Sequence, residues 1–354
     1  MKRVVVIAHG LSGGGAERVA SILANYFCNQ GNKVLFIAAY SAERSYYLDS
    51  KIEYKFLDVY GKKGIFAFIY RNIRLFDMVR KYKADVVYSL ITHELALLTL
   101  SKIPIIPSLR IDPVISGQAF FRRIIRNFVY SHSKYVVFQT KQARDYFSTK
   151  IQKKGIVIGN PIKSNLPVWQ EDNHEKVFMT ACRISTQKNI PMLIEAFVNF
   201  HKDYPDYTLE LYGNGEPESY KKKIEKECEQ EGVNAFVKFM GRTNEVHEKM
   251  KRAEAFFLTS NYEGLSNSML EAMAIGVPCV CTDCPPGGAK EYMKNGEAGI
   301  LIPIGDVERL ETEMRRIADD PLYRREISIK ECYVREILKE NEICSQWEEL
   351  MYKL

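Results

Sequence analysis

The chain lacks any apolar run long enough to cross a bilayer. Its longest, such as Ile65-Phe-Ala-Phe-Ile-Tyr70, falls far short of the roughly 20 residues a spanning helix needs. A secretory signal is missing as well. Met1-Lys-Arg is followed by only five apolar residues before His9-Gly10, and these read as a first buried strand. A cytosolic protein is the expectation. The glycines at 13, 14 and 15 have no Gly-Lys-Ser/Thr after them and do not match the dinucleotide fingerprint, so P-loop and dinucleotide-binding readings are excluded. No Asp-x-Asp is placed to hold a metal, and there is no internal repeat or low-complexity tract.

The eight cysteines do not make a disulfide framework in a chain of this size without an export signal. Cys279, Cys281 and Cys284 resemble a metal cluster only superficially. No histidine lies near them, and structural zinc sites favour Cys-x2–4-Cys pairs in two halves. Reduced core thiols are expected. Acidic residues are scarce in the first half: residues 1–165 carry 26 Lys+Arg against 10 Asp+Glu, whereas residues 166–354 carry 24 against 34. An excess of +16 in one half suits a partner that is anionic: phospholipid headgroups, a diphosphate-linked acceptor or nucleic acid. No stacking or groove-reading motif supports nucleic acid, and none is expected as a partner.

What is present is a regular alternation. Val4–Ala8, Lys33–Ala39, Asp85–Leu90, Ile103–Ser108, Tyr135–Gln139 and Gly155–Ile158 read as strands, with helical patterns between them. The second half repeats the style from Val177 to Ile302. This is the pattern of an α/β protein with mostly parallel sheets, and 354 residues suit two domains better than one core. Asn165–Glu175 is polar, contains proline, has no periodicity and coincides with the charge reversal, so it reads as the interdomain linker. The expected architecture is two doubly wound, Rossmann-like domains, 1–165 and 166–354, with a cleft between them. A C-terminal helix over 334–354 is expected to pack back on the first domain.

Three segments carry candidate chemistry. The glycine loop His9–Glu17 follows the first strand and opens a helix, where backbone N–H groups and the helix dipole favour an anion. Tight-turn geometry explains it equally well. Arg183 and Lys188 lie on the loop after the first strand of the second half, and an Arg fork with a Lys point charge suits a diphosphate. Glu263 and Glu271 stand eight positions apart across a turn-to-helix junction. They admit three readings: a hydrolase dyad, acceptors of sugar hydroxyls, or, for Glu271 in Ser268-Met-Leu-Glu271, a capping box. The basic residues nearby argue against simple hydrolysis.

Together with Asn160-Pro161, Gly213-Asn-Gly215, Gly241-Arg242, Asp283-Cys-Pro-Pro-Gly-Gly-Ala-Lys-Glu291 and Gly296–Asp306, these segments resemble glycosyltransferase family 4 from Gly10 to about Asp306. The likeness is to retaining, nucleotide-sugar-dependent enzymes of GT-B fold, and most to bacterial enzymes of capsular polysaccharide and exopolysaccharide biosynthesis. The resemblance implies that Arg183 and Lys188 bind the donor diphosphate, with Glu263 on the donor sugar, these three forming the catalytic group. It further implies Glu271 on the ribose, backbone of Gly264, Leu265, Ser266 and Asn267 towards sugar or phosphate, Gly13, Gly14 and Gly15 over the donor, and Arg242 near the base. No metal or other cofactor is expected, because the two cations would meet the leaving charge.

On the acceptor side, His93 and Arg110 each follow a strand and are candidate acceptor residues. In the segment Ala119–Tyr130, Phe121, Ile124, Ile125 and Phe128 recur at helical spacing with Arg122, Arg123 and Arg126 interleaved, a pattern that suits an anionic membrane surface. The expectation is a hexosyltransferase that moves a hexose or N-acetylhexosamine from a UDP-sugar to a polyprenyl-diphosphate-linked glycan, peripheral on the inner face of the plasma membrane. The alternative is a non-catalytic nucleotide-sugar-binding subunit of a glycosyltransferase complex.

Overall fold

Apolar strands and one-sided helices assemble into two compact units in the computed structural model, which describes residues 1–354. One comprises Met1–Pro161 with Glu340–Leu354, the other Ile162–Lys339.

The first unit holds β1 (Arg3–Ala8), β2 (Lys33–Ala38), β3 (Glu53–Phe56), β4 (Val86–Ser89), β5 (Ile105–Leu109), β6 (Val136–Phe138) and β7 (Gly155–Val157). They form one sheet in the order β3-β2-β1-β4-β5-β6-β7, and every neighbouring pair is parallel. Val4 to Ala8 are completely buried, as expected of a central parallel strand covered on both faces. The sequence pattern did not reveal β3. It is four residues long, carries Glu53 and Lys55 and lies at the sheet edge, where charge blunts further pairing.

The second unit holds β8 (Glu175–Ala181), β9 (Thr208–Tyr212), β10 (Val237–Gly241), β11 (Ala253–Leu258), β12 (Cys279–Thr282) and β13 (Ile300–Ile302), in the order β10-β9-β8-β11-β12-β13, again all parallel. Phe178 is the hub of its core and packs on Phe197, Phe200, Tyr207 and Phe257. In each unit the strand order reverses once, between β1 and β4 and between β8 and β11. Open α/β sheets bind ligands outside the carboxyl ends of the strands at such a reversal. All eight cysteines are free, and Cys279 and Cys281 are buried in β12.

Two boundaries differ from expectation. The chain leaves the first unit at Pro161 rather than 165, and the stretch expected as linker is packed on the second unit. Trp169 there is buried, its indole N–H donating to the Ala253 carbonyl at 2.8 Å, and Arg324 binds Glu171 at 3.0 Å. Polar composition hid one anchoring tryptophan. The returning helix is Glu340–Tyr352, whereas Val334–Ile337 is a separate short helix of the second unit. Outgoing and returning chain meet where the Ile162 N–H donates to the Leu338 carbonyl at 3.0 Å. Trp347 of the returning helix is fully buried against Tyr88, whose hydroxyl donates to the Trp347 carbonyl at 2.8 Å.

Candidate active site

The loops after β8 and β11, at the reversal of the second sheet, are stitched together. The Asn261 N–H donates to the Gln187 carbonyl at 2.8 Å, the Asn261 side chain to Thr186 at 3.0 Å, and the Gln187 side chain to Tyr262 at 3.0 Å. The Thr259 hydroxyl donates to the Lys188 carbonyl at 3.0 Å. This lattice brings the Lys188 ammonium onto the Glu263 carboxylate, both largely buried. Burial works against the Lys188 charge, but the facing carboxylate overcomes it and the pKa is raised. Arg183 stays exposed and pairs with Glu216 at 2.9 Å, near enough for its charge to oppose that of Lys188. The two cations thus differ in exposure: Lys188 is buried against Glu263, whereas Arg183 is exposed beside Glu216.

Helix Asn267–Ile275 starts beside this pair. Its N-cap is Ser266, whose hydroxyl accepts the Met269 N–H at 3.4 Å. The capping box centred on Ser268 is therefore not formed. Glu271 lies a full turn inside the helix, buried, with Oε2 3.1 Å from Nε2 of His247 on helix Val246–Arg252. The contact is at ion-pair distance without the alignment of a hydrogen bond. Gly264 and Leu265 are clamped from the next loop. A Cβ on Gly288 would fall 2.8 Å from the Gly264 carbonyl, and the Glu263 N–H donates to Pro285 at 2.9 Å. Arg242 stands exposed just past β10. Arg183, Lys188, Glu263, Ser266 and Glu271 thus come from one end of one sheet.

In the first unit, Gly14 is the N-cap of helix Gly15–Asn29, and Gly13 has φ of 79°. The helix start is already engaged by its own acid: a Cβ on Gly14 would lie 1.9 Å from Glu17 Oε2. Glu17 therefore complements the dipole, and an anion arriving there meets that carboxylate.

Residues 162–331, most of the second unit, match the family described as Glycosyl transferases group 1. A glycosyltransferase of Haemophilus influenzae described as uncharacterized is 25% identical over 352 residues, covering 96% of this chain and 97% of its own. These matches support a glycosyltransferase of family 4 type. A Campylobacter jejuni α-1,4-N-acetyl-D-galactosaminyltransferase, named for the acceptor GalNAc-alpha-(1->4)-GalNAc-alpha-(1->3)-diNAcBac-PP-undecaprenol, is 22% identical, with 92% of each chain covered. The fold is GT-B. Anabaena Alr3699/HepE, solved in complex with UDP and glucose, superimposes with a TM-score of 0.84 over 100% of both chains at 17% identity.

The acceptor-side candidates of this glycosyltransferase fall at the carboxyl end of the first sheet. His93 opens the turn after β4. Burial, then Arg122 and Arg126, lower its pKa to about 4, and its buried Nε2 has no hydrogen-bond partner. At neutral pH it is an uncharged imidazole. Arg110, just past β5, donates to Asn160 Oδ1 at 2.5 Å, and that oxygen also accepts from Gln139 at 2.9 Å. Arg126 departs from the expected basic outer face. It is 1% exposed, donates to the Pro113 carbonyl and lies over Phe147. Two residues escaped sequence reading. His247 carries no motif and matters only through its approach to Glu271. Glu94, next to His93, is buried and accepts the Tyr40 hydroxyl.

Proposed function

We propose that the chain is a retaining hexosyltransferase. It moves a hexose or N-acetylhexosamine from a UDP-sugar to a polyprenyl-diphosphate-linked saccharide in surface polysaccharide biosynthesis. The observation that carries this reading is the buried Lys188–Glu263 pair at the reversal of the second sheet, with Arg183 and Glu271 on the same end. A diphosphate leaving group needs fixed positive charge, and Lys188 and Arg183 supply it without a metal. Glu263, held by Lys188, accepts a hydroxyl of the donor sugar. Glu271, steadied by His247, accepts ribose hydroxyls.

The anomeric C–O bond breaks with its electron pair going to the diphosphate oxygen. The acceptor oxygen forms the new bond on the same face, and its proton passes to the departing phosphate. No side chain need be a covalent nucleophile. The names of the Campylobacter relative and the Anabaena neighbour support a lipid-linked acceptor and a uridine donor. Glu271→Ala is expected to lower transfer from a UDP-sugar panel, read as product per minute, by roughly 10²-fold or more. Undiminished transfer would sink the donor-site assignment.

We also place the first unit on the inner leaflet. No helix is long and apolar enough to cross a membrane. Phe120, Phe121 and Ile124 are exposed on helix Phe120–His132 beside exposed Arg122 and Arg123. Ile65, Phe66, Ile69 and Ile73 are exposed on helix Gly64–Tyr82, with Lys62 and Lys63 just before it. Apolar anchors flanked by cations suit anionic headgroups. The protein is expected to float with phosphatidylglycerol vesicles at low salt and to release at high salt; absence of flotation at low salt would refute the placement.

A further inference from the structure

The reversal of the first sheet carries a side-chain assembly that donor chemistry does not use. His9 leaves the end of β1 and Tyr40 follows β2 after one intervening residue, while Glu94 belongs to the turn after β4. These are three adjacent strands of the sheet. The His9 and Tyr40 rings stack at 4.9 Å with 13° between planes. The Arg71 guanidinium lies 4.2 Å from the Tyr40 centroid, and since it cannot share a face with His9, Tyr40 is sandwiched. The Tyr40 hydroxyl donates to the buried Glu94 carboxylate.

The backbone is equally constrained. The Tyr40 N–H donates to the His9 carbonyl at 2.8 Å, and a Cβ on Gly10 would fall 3.0 Å from the Ser41 Cβ. Arg71, Tyr40 and His9 thus make a column. Its middle ring, Tyr40, is pinned by Glu94, and its top ring, His9, is exposed. A pinned, exposed ring at a strand-order reversal is preorganised for a flat ligand face, because its ordering cost is met before binding. The C–H face of a pyranose meets that requirement: its polarised hydrogens are attracted to a π face and its hydroxyls remain in water.

We infer that His9, Tyr40 and Glu94 form a saccharide subsite in the first unit, where His9 stacks on a pyranose ring of the acceptor and Tyr40 and Glu94 are positioning residues. This rests on the glycosyl-transfer reading above. The one guanidinium of the column, Arg71, lies against Tyr40 on the face away from His9, so the exposed ring selects the sugar and not the lipid phosphate.

The test uses the whole protein and the imidazole resonances of its six histidines, with that of His9 assigned by its loss in His9→Gln. Probes are the methyl α-glycosides of glucose, galactose, N-acetylglucosamine and N-acetylgalactosamine, each titrated to about 100 mM because single sugars bind in the millimolar range. At least one glycoside is expected to shift the His9 resonance. Its Kd should rise fivefold or more in Tyr40→Ala and in Glu94→Leu, and recover in Glu94→Gln, whose amide oxygen still accepts the Tyr40 hydroxyl. In transfer assays with farnesyl-diphosphate-linked N-acetylgalactosamine, His9→Ala should raise the acceptor KM, and His9→Phe, which keeps a ring, should not. Calorimetric UDP affinity should be unchanged in all of them. The inference is overturned if no glycoside moves His9, if Tyr40→Ala leaves the glycoside Kd unaltered, or if UDP alone shifts His9 and loses affinity in His9→Ala. Failure of UDP to bind the wild type would instead refute the donor reading and leave the glycoside result standing.

Discussion

At the residue scale, the protein places its ionisable groups in pairs that oppose or complete each other. Lys188 is held charged in a buried place only because Glu263 faces it, and removing either leaves the other stranded. Next to each other after β4, half-buried His93 and buried Glu94 are both biased towards neutrality, with opposite consequences for stability. Burial pushes the Glu94 pKa up from 4.5 to about 7, so the native state binds more protons than the unfolded chain between those values. Its contribution is full below about 4.5 and is lost as pH rises to about 7, a change of about 3 kcal/mol. His93, lowered to about 4, contributes stability above about 6.5 that is lost as pH falls through 4. Glu94→Gln is therefore expected to gain stability over the wild type progressively from pH 4.5 to 7. Urea unfolding across that range checks it; a pH-independent difference would show that Glu94 does not titrate there.

At the element scale, the site depends on how tightly successive loops touch. The β8 and β9 loops are bonded reciprocally: the Ile184 N–H donates to Asn214 and the Glu216 N–H to Ile184, both at 2.9 Å. Gly213 makes this possible, with φ of 139° and a missing Cβ that would fall 1.8 Å from the Cys182 carbonyl oxygen. Gly213→Ala should therefore push Cys182–Lys188 out of place, costing about 2 kcal/mol or more. UDP affinity by calorimetry should fall with it, although residue 213 itself touches no ligand in the proposed scheme. Normal affinity at normal stability would refute this account. Helix Phe120–His132 makes a complementary point. Its periodicity was legible in the sequence, yet Arg126 faces inward because a guanidinium can satisfy itself on a carbonyl and an aromatic face.

At the scale of the whole molecule, the chain's last helix belongs to the fold of its first residues. Trp347 is completely buried, and Phe27 stacks on the same Tyr88 at 4.8 Å. Trp347→Ala is expected to destabilise the first unit by about 3–5 kcal/mol through the cavity it leaves. The second unit should keep its UDP affinity. A two-probe unfolding experiment, with Trp169 reporting the second unit, separates the two, and an equal loss in both would contradict the division at Pro161.

The sequence by itself determined the two parallel sheets, because buried central strands must be continuous apolar runs and covering helices must be one-sided. It also singled out Arg183, Lys188, Glu263 and Glu271 as the candidate donor-side set, through their recognisable spacing along a few loops. Only the tertiary structure decided that Glu271 faces His247 rather than capping its helix. It alone paired Lys188 with Glu263, turned Arg126 inward, packed Trp169 on the second unit and built the His9–Tyr40–Glu94 column. The Glu271–His247, Lys188–Glu263 and His9–Tyr40–Glu94 contacts each join residues that follow different strands. Strand order in a parallel sheet is set by how the crossovers pack, and no local pattern in the chain records which loop ends will meet.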